Sequence, residues 1–132
     1  QVVLHDQIAV IKGLFNITYL MNPGGAFGFF AGGPARVRKF IFLFLSSLVA
    51  LFVVWFYHRA KNFLWLSFGL ALIFGGAVGN LIDRFAYGEV IDFLDFHIGT
   101  AHWPAFNVAD SAICVGMCVL IYHILLNKVP DL

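Results

Sequence analysis

Apolar residues along this chain gather in three long stretches free of Asp, Glu, Lys and Arg: 40–57, 62–82 and 111–127, of 18, 21 and 17 residues. At 1.5 Å of rise per residue each gives roughly 26 to 32 Å of helix, close to a hydrocarbon thickness of about 30 Å. The pattern predicts three transmembrane helices at approximately 39–58, 62–83 and 105–127. The third is drawn back past Ser111 because Pro104 suits the start of a helix and Trp103 suits an interfacial belt, which places Asp110 inside it. Buried helices of a water-soluble bundle are the alternative, but they would carry a polar stripe, and 40–57 offers only Ser46 and Ser47.

The segments between the helices have their own patterns. In 14–22, Phe15, Ile17, Tyr19 and Met21 alternate with Asn16 and Thr18, the two-residue period of a strand. A turn-rich loop rich in glycine, with Pro23 and Pro34, follows. A second long connection, 88–104, carries the β-branched and aromatic run Val90-Ile91-Asp92-Phe93. Three helices of alternating direction bring both connections to one side of the membrane, where a small extended β platform is expected; the sequence leaves its strand pairing open. Arg59 and Lys61 in the hairpin between helices one and two, with Lys128, oppose Arg36, Arg38 and Lys39 at the other end of helix one, so charge counting does not fix the orientation. No repeat or low-complexity tract interrupts 1–132, which reads as a single membrane-embedded domain. No signal-peptide pattern opens the chain, and Gln1 in place of Met fits a fragment or a processed form.

Composition agrees with lipid as the solvent. The 132 residues are 61% hydrophobic, 17% aromatic and 11% charged, with a mean hydropathy of +0.91 and a formal charge of +1. That balance excludes an ordinary soluble domain, a nucleic-acid-binding surface and an acidic disordered tail. The scarce acids are not scattered. Five of the seven, Asp83, Glu89, Asp92, Asp95 and Asp110, fall within 28 positions. An ionisable group at the centre of a membrane helix costs about 2.5 to 3.5 kcal/mol on insertion scales, so such groups face partners or cavities.

Several constellations around these acids have both a packing reading and a chemical one. Ala71, Gly75 and Gly79 recur every fourth position, a narrow face for a neighbouring helix. Asn80 and Arg84, one turn apart, can clamp a carboxylate or substrate carbonyls, or Arg84 can simply snorkel to the interface. Asn107 and Asp110 share a face of helix three with Ala109, Ala112 and Gly116 allowing close neighbours, although Asn107 also suits a helix cap and Asp110 a first turn. Asp92 taken alone is a loop carboxylate. The set of two Asn, an Arg and several Asp at one membrane face favours a site. His97 and His102 lie near Asp92 and Asp95 but match no zinc spacing, so no metal is assigned. Cys114 and Cys118 read as small hydrophobes and His123 as a satisfied polar residue; Ser111 beside Asp110 keeps a minor claim as a nucleophile.

Four strings occur in order: Asn22-Pro-Gly-Gly-Ala-Phe-Gly28, Gly75-Gly-Ala-Val-Gly-Asn-Leu-Ile-Asp-Arg84, Val90-Ile-Asp-Phe93 and Phe106-Asn-Val-Ala-Asp-Ser111. Together they closely resemble bacterial lipoprotein signal peptidase, or signal peptidase II, over essentially the whole chain from Leu14 to helix three. The resemblance implies an aspartic peptidase of the bacterial inner membrane, multi-pass and monomeric. It acts without metal or other cofactor on the periplasmic side, and cuts a prolipoprotein just before its diacylglyceryl-modified cysteine. It implies Asp92 and Asp110 as the catalytic pair, Asp83 as a supporting residue, and Asn22, Asn80, Arg84 and Asn107 as polar positions around the substrate. It further implies an all-α membrane fold of four helices with the β platform on the periplasmic side. The family's first helix, which carries a further Asp motif, precedes the equivalent of Gln1. The competing reading from the residues is a non-enzymatic membrane subunit or small transporter with an acidic cluster. A presenilin-type protease would require a Gly-x-Gly-Asp string, which this chain lacks.

Overall fold

A computed structural model describes residues 4–25, 30 and 32–130, with the backbone alone for 4–6. Ala26, Phe27 and Gly28 of the glycine-rich string lie outside the described residues. The described chain runs β1 (Leu4–Ile11), β2 (Phe15–Asn22), α1 (Ala35–Ala60), α2 (Leu64–Tyr87), β3 (Val90–Ile98), β4 (Ala101–His102) and α3 (Val108–Leu125). Two compact units divide it: residues 1–43 with 83–107, and residues 44–82 with 108–132.

The first unit contains an antiparallel sheet of order β1-β2-β3-β4. β1 and β2 form a hairpin whose turn needs Gly13 at φ +81°, a conformation costly for residues with a Cβ. The alternation of β2 emerges as expected, with Asn16 and Thr18 buried and Ile17 and Tyr19 exposed. β1 itself was not legible, because shifts in its register between His5 and Gln7 and between Ala9 and Ile11 break the two-residue period. β3 extends the 90–93 run to Ile98 and pairs with β2, Asn16 opposite Asp95 and Leu20 opposite Asp92. Between those pairs the β2–β3 register shifts, and the amides of Phe93 and Leu94 both donate to the carbonyl of Phe106, at 3.0 and 2.8 Å. This bulge re-phases β3, so Asp92 and Asp95, three residues apart, point to one face. The bridging of Leu94 to Phe106 also explains why α3 begins at Val108: the residues before it are extended and tied to β3.

The three helices have 26, 24 and 18 residues and are each long and apolar enough to cross a membrane. In the second unit Val53, Phe56, Ala60, Leu66, Leu70 and Ile73 form the buried core, with Leu120 and Val129 packed against it. Ser67 donates its hydroxyl to the carbonyl of Ala60 at 2.8 Å, satisfying a backbone acceptor at the α1–α2 hairpin. Small residues do bring α2 against α3, but one position away from the expected stripe. A Cβ on Gly69 would meet Val119 at 2.7 Å, one on Gly116 would meet Ile73 at 2.6 Å, and one on Gly76 would meet Ile113 at 2.7 Å and the carbonyl of Ala109. Gly75 faces open space and Gly79 makes only a looser approach to Ala109 at 3.3 Å. A four-residue stripe fixes a helical face but not which neighbour lies on it. At the far end of α2, Gly88 at φ +81° caps the helix, its amide donating to the carbonyl of Arg84 at 2.9 Å.

Two stability predictions follow from this packing and from the sheet. Gly76→Leu, which must displace Ile113 and the α3 backbone, lowers stability by about 1 to 3 kcal/mol, whereas Gly75→Ala leaves it unchanged or raised; thermal unfolding in detergent micelles distinguishes them. In the sheet, burial pushes the Asp95 carboxyl up, but hydrogen bonds from His102 and Asn16 and the positive potential of His102 and His97 outweigh it and hold the carboxyl below its ordinary range. A carboxylate depressed on folding stabilises the fold above its ordinary pKa of about 3.9 and loses that contribution as pH falls through the lower folded value. Amide exchange in β3 should therefore accelerate below about pH 4, and Asp95→Asn should flatten that acid dependence.

Candidate active site

The polar residues of the first unit converge on Asp92. Asn22 ends β2 and folds its side chain back on the turn, its carbonyl oxygen accepting the Gly24 amide at 3.0 Å. Its amide nitrogen donates to the carbonyl of Gly25 at 3.3 Å and to one carboxylate oxygen of Asp92 at 3.0 Å. Asn107, the residue before α3, donates to the other Asp92 oxygen at 3.1 Å and to the carbonyl of Ile91 at 3.2 Å. Asp92 is 4% exposed, with each carboxylate oxygen held by a neutral amide. The two amide donors fix the orientation of this carboxylate without adding a formal positive charge.

Asp83 and Arg84, at the end of α2, act on the backbone around this carboxylate. Asp83 accepts the amide of Ile91 at 3.1 Å, fixing the residue next to Asp92. The buried guanidinium of Arg84 donates to the carbonyl of Gly24 at 3.0 Å and lies 4.8 Å over the ring of Phe42. Arg84 thus braces the loop that follows Asn22. Nearby, Arg38 donates to the carbonyl of Gly33 and approaches Glu89 at 3.8 Å, and Lys39 donates to the carbonyl of Phe85.

The second unit places Asp110 in the first turn of α3, where an acid is favoured by the helix dipole. Asn80 of α2 donates to its carboxylate at 2.8 Å. Asp110 is therefore also held by an asparagine amide. His123 donates to the carbonyl of Val119 at 2.8 Å, a satisfied core histidine as expected, and Cys114 and Cys118 are exposed on α3.

Sequence reasoning did not assign the neighbouring group on β2, β3 and β4. Asp95, 5% exposed, accepts from Asn16 at 3.0 Å and from Nδ1 of His102 at 2.7 Å, and the rings of His97 and His102 stack with centroids 4.6 Å apart. Among the described residues no three His, Cys, Asp or Glu side chains are grouped to hold a metal ion. The alternation that put Asn16 and Thr18 on one side of β2 was the available signal; the bulge that turns Asp95 to meet them was not visible.

Comparison with known proteins gives this arrangement a context. The family model described as signal peptidase (SPase) II matches residues 1–126. A lipoprotein signal peptidase of Desulforapulum autotrophicum is 66% identical over 131 residues, covering 98% of this chain and 81% of the relative. Another, of Geobacter sulfurreducens, is 53% identical over 117 residues, covering 89% of this chain and 72% of the relative. Two solved structures of bacterial membrane enzymes, determined by the in meso method at 2.3 and 1.9 Å, superpose with TM-scores of 0.82 and 0.76, both at 34% identity. They match 93% and 91% of this chain and 73% and 75% of their own. The match over nearly the full length, in sequence and in fold, establishes that the chain belongs to the signal peptidase II family.

Proposed function

We propose that this chain is an aspartic peptidase that removes signal peptides from diacylglyceryl-modified prolipoproteins, cutting just before the lipidated cysteine, with Asp92 and Asp110 as its catalytic pair. The observation that carries the reading is the bracketing of Asp92: a buried carboxylate with one asparagine amide on each oxygen. Asn80 donates to one carboxylate oxygen of Asp110. The pairing of the two aspartates rests on the positions they occupy in the family's strings, and the relatives named lipoprotein signal peptidase support the substrate class.

In this mechanism the two carboxylates share one proton, because like charges brought together resist ionising together. The ionised member takes a proton from water as the water oxygen attacks the scissile carbonyl carbon, and the protonated member gives its proton to the carbonyl oxygen. Collapse of the tetrahedral intermediate breaks the C–N bond, with a proton passing to the leaving amine. Asn22, Asn80 and Asn107 hold the carboxylates in their productive rotamers. Asp83 and Arg84 hold the backbone beside Asp92.

The reading also places the chain as one multi-pass domain in the bacterial inner membrane, with the sheet on the periplasmic side and the 61–63 hairpin on the cytoplasmic side. It works as a monomer and needs no cofactor. The lipid tails reach the site laterally from the bilayer.

Cleavage of a purified lipid-modified prolipoprotein tests the chemistry. Asp92→Asn and Asp110→Asn should each lower kcat by about a thousandfold or more while the protein keeps its thermal stability; full cleavage by either variant overturns the pair. Orientation is checked by a membrane-impermeant thiol reagent on intact cells. A cysteine placed at the exposed Lys12 should be labelled and one at Lys61 should not; the reverse pattern inverts the assignment.

A further inference from the structure

On the sheet that carries Asp92 the first unit has a cleft of about 360 Å³, lined among others by Gln7, Thr18, Leu20, Asp95, His102 and Trp103. We propose that this cleft binds a lysine or arginine side chain of the polypeptide substrate, three or four residues past the cut, an inference that rests on the peptidase function proposed above.

The cleft and Asp92 share one face of the sheet. Leu20, which lines the cleft, is the register partner of Asp92, and Asn16, whose amide holds Asp95, is the register partner of Asp95. Because the bulge at Phe93 and Leu94 re-phases β3, Asp95 follows Asp92 on that face at a distance of about 10 Å along the strand. An extended substrate covers that distance in about three residues. The signal peptide is the apolar part of such a substrate and stays with the bilayer, so the residues that reach the sheet are those on the carboxyl side of the cut. Pro104 and Ala105, which also line the cleft, lead directly to Phe106, which is bridged to β3, and to Asn107, which holds Asp92.

The chemistry of the walls selects the ligand. Thr18 is 4% exposed, lines the cleft, and its hydroxyl has no hydrogen-bond partner among the described residues. Buried hydroxyls are nearly always satisfied, so an unpartnered one in a cleft wall points to a group supplied from outside. Asp95 offers a carboxylate whose two oxygens each accept one bond from the protein and retain a lone pair. Two acceptors, beside the aromatic face of Trp103 (61% exposed), suit a cation with several N–H donors on an apolar stem; because a protonated His97 or His102 beside Asp95 would oppose that cation, the assay is run at about pH 8, above the ordinary histidine pKa of about 6.5. An acidic side chain would meet the Asp95 carboxylate instead.

The test uses the intact membrane protein and matched lipid-modified prolipoproteins that carry Lys, Gln or Glu at the third and fourth residues of the mature part, the cysteine counted as first. kcat/KM for the Lys substrate should exceed that for the Glu substrate by about tenfold. In Asp95→Asn the ratio should fall to about twofold or less. Because the ratio is read within one preparation, a partly unfolded variant does not disturb it. Thr18→Val, nearly isosteric, provides the second variant and should likewise reduce the Lys preference while leaving the rate on the Glu substrate unchanged. Equal wild-type rates on all three substrates, or an undiminished Lys preference in both variants, overturns the cleft while leaving the peptidase standing. Failure of the wild-type protein to cleave any of them overturns the peptidase and the cleft with it.

Discussion

The pairing of β2 with β3, with its bulge, is the constraint on which the polar chemistry of the first unit depends. A regular strand would send Asp92 and Asp95 to opposite faces. The register shift and the shared acceptor at Phe106 instead turn both toward the polar side of β2, where Asn16, Thr18 and Leu20 lie. Asn22 at the end of β2 and Asn107 after Phe106 then reach Asp92 from two sides. One local irregularity thereby supplies both the held carboxylate and the neighbouring cleft.

A chain solvated largely by lipid has few ways to hold a carboxylate. Here asparagine amides donate to both Asp92 and Asp110, and Arg84 donates to a backbone carbonyl. In the second unit the same economy appears as packing. Gly69, Gly76 and Gly116 let α2 and α3 approach until a methyl group would not fit, so association comes from close van der Waals contact, the term available where lipid tails are as apolar as leucine.

Membership of the signal peptidase II family rests on overall similarity, and the bracketing of Asp92 is a local geometric observation beside it. The proposed cleft would extend substrate contact from the bond being cut to the residues beyond it. Asp95 and Thr18 contribute nothing to the four family strings, yet they sit on the face that those strings organise.

By itself the sequence determined the three membrane-competent helices, since 17 to 21 residues without a charge have few other stable settings. It determined the polar side of β2 through a two-residue period, and it marked Asp92, Asp110 and their asparagines through ordered strings. Only the tertiary structure decided which small residues meet, Gly76 and not Gly75, because a helical face names no neighbour. Only the tertiary structure showed β1, whose period its bulges erase, and the late start of α3, whose preceding residues are claimed by β3. Arg84's role as a brace, and the union of Asp95 with Asn16 and His102, depend on contacts across 60, 79 and 7 positions of chain. Periodicity reports the environment on each face of one segment; which segments share that environment is fixed by long-range pairing, which local patterns do not encode.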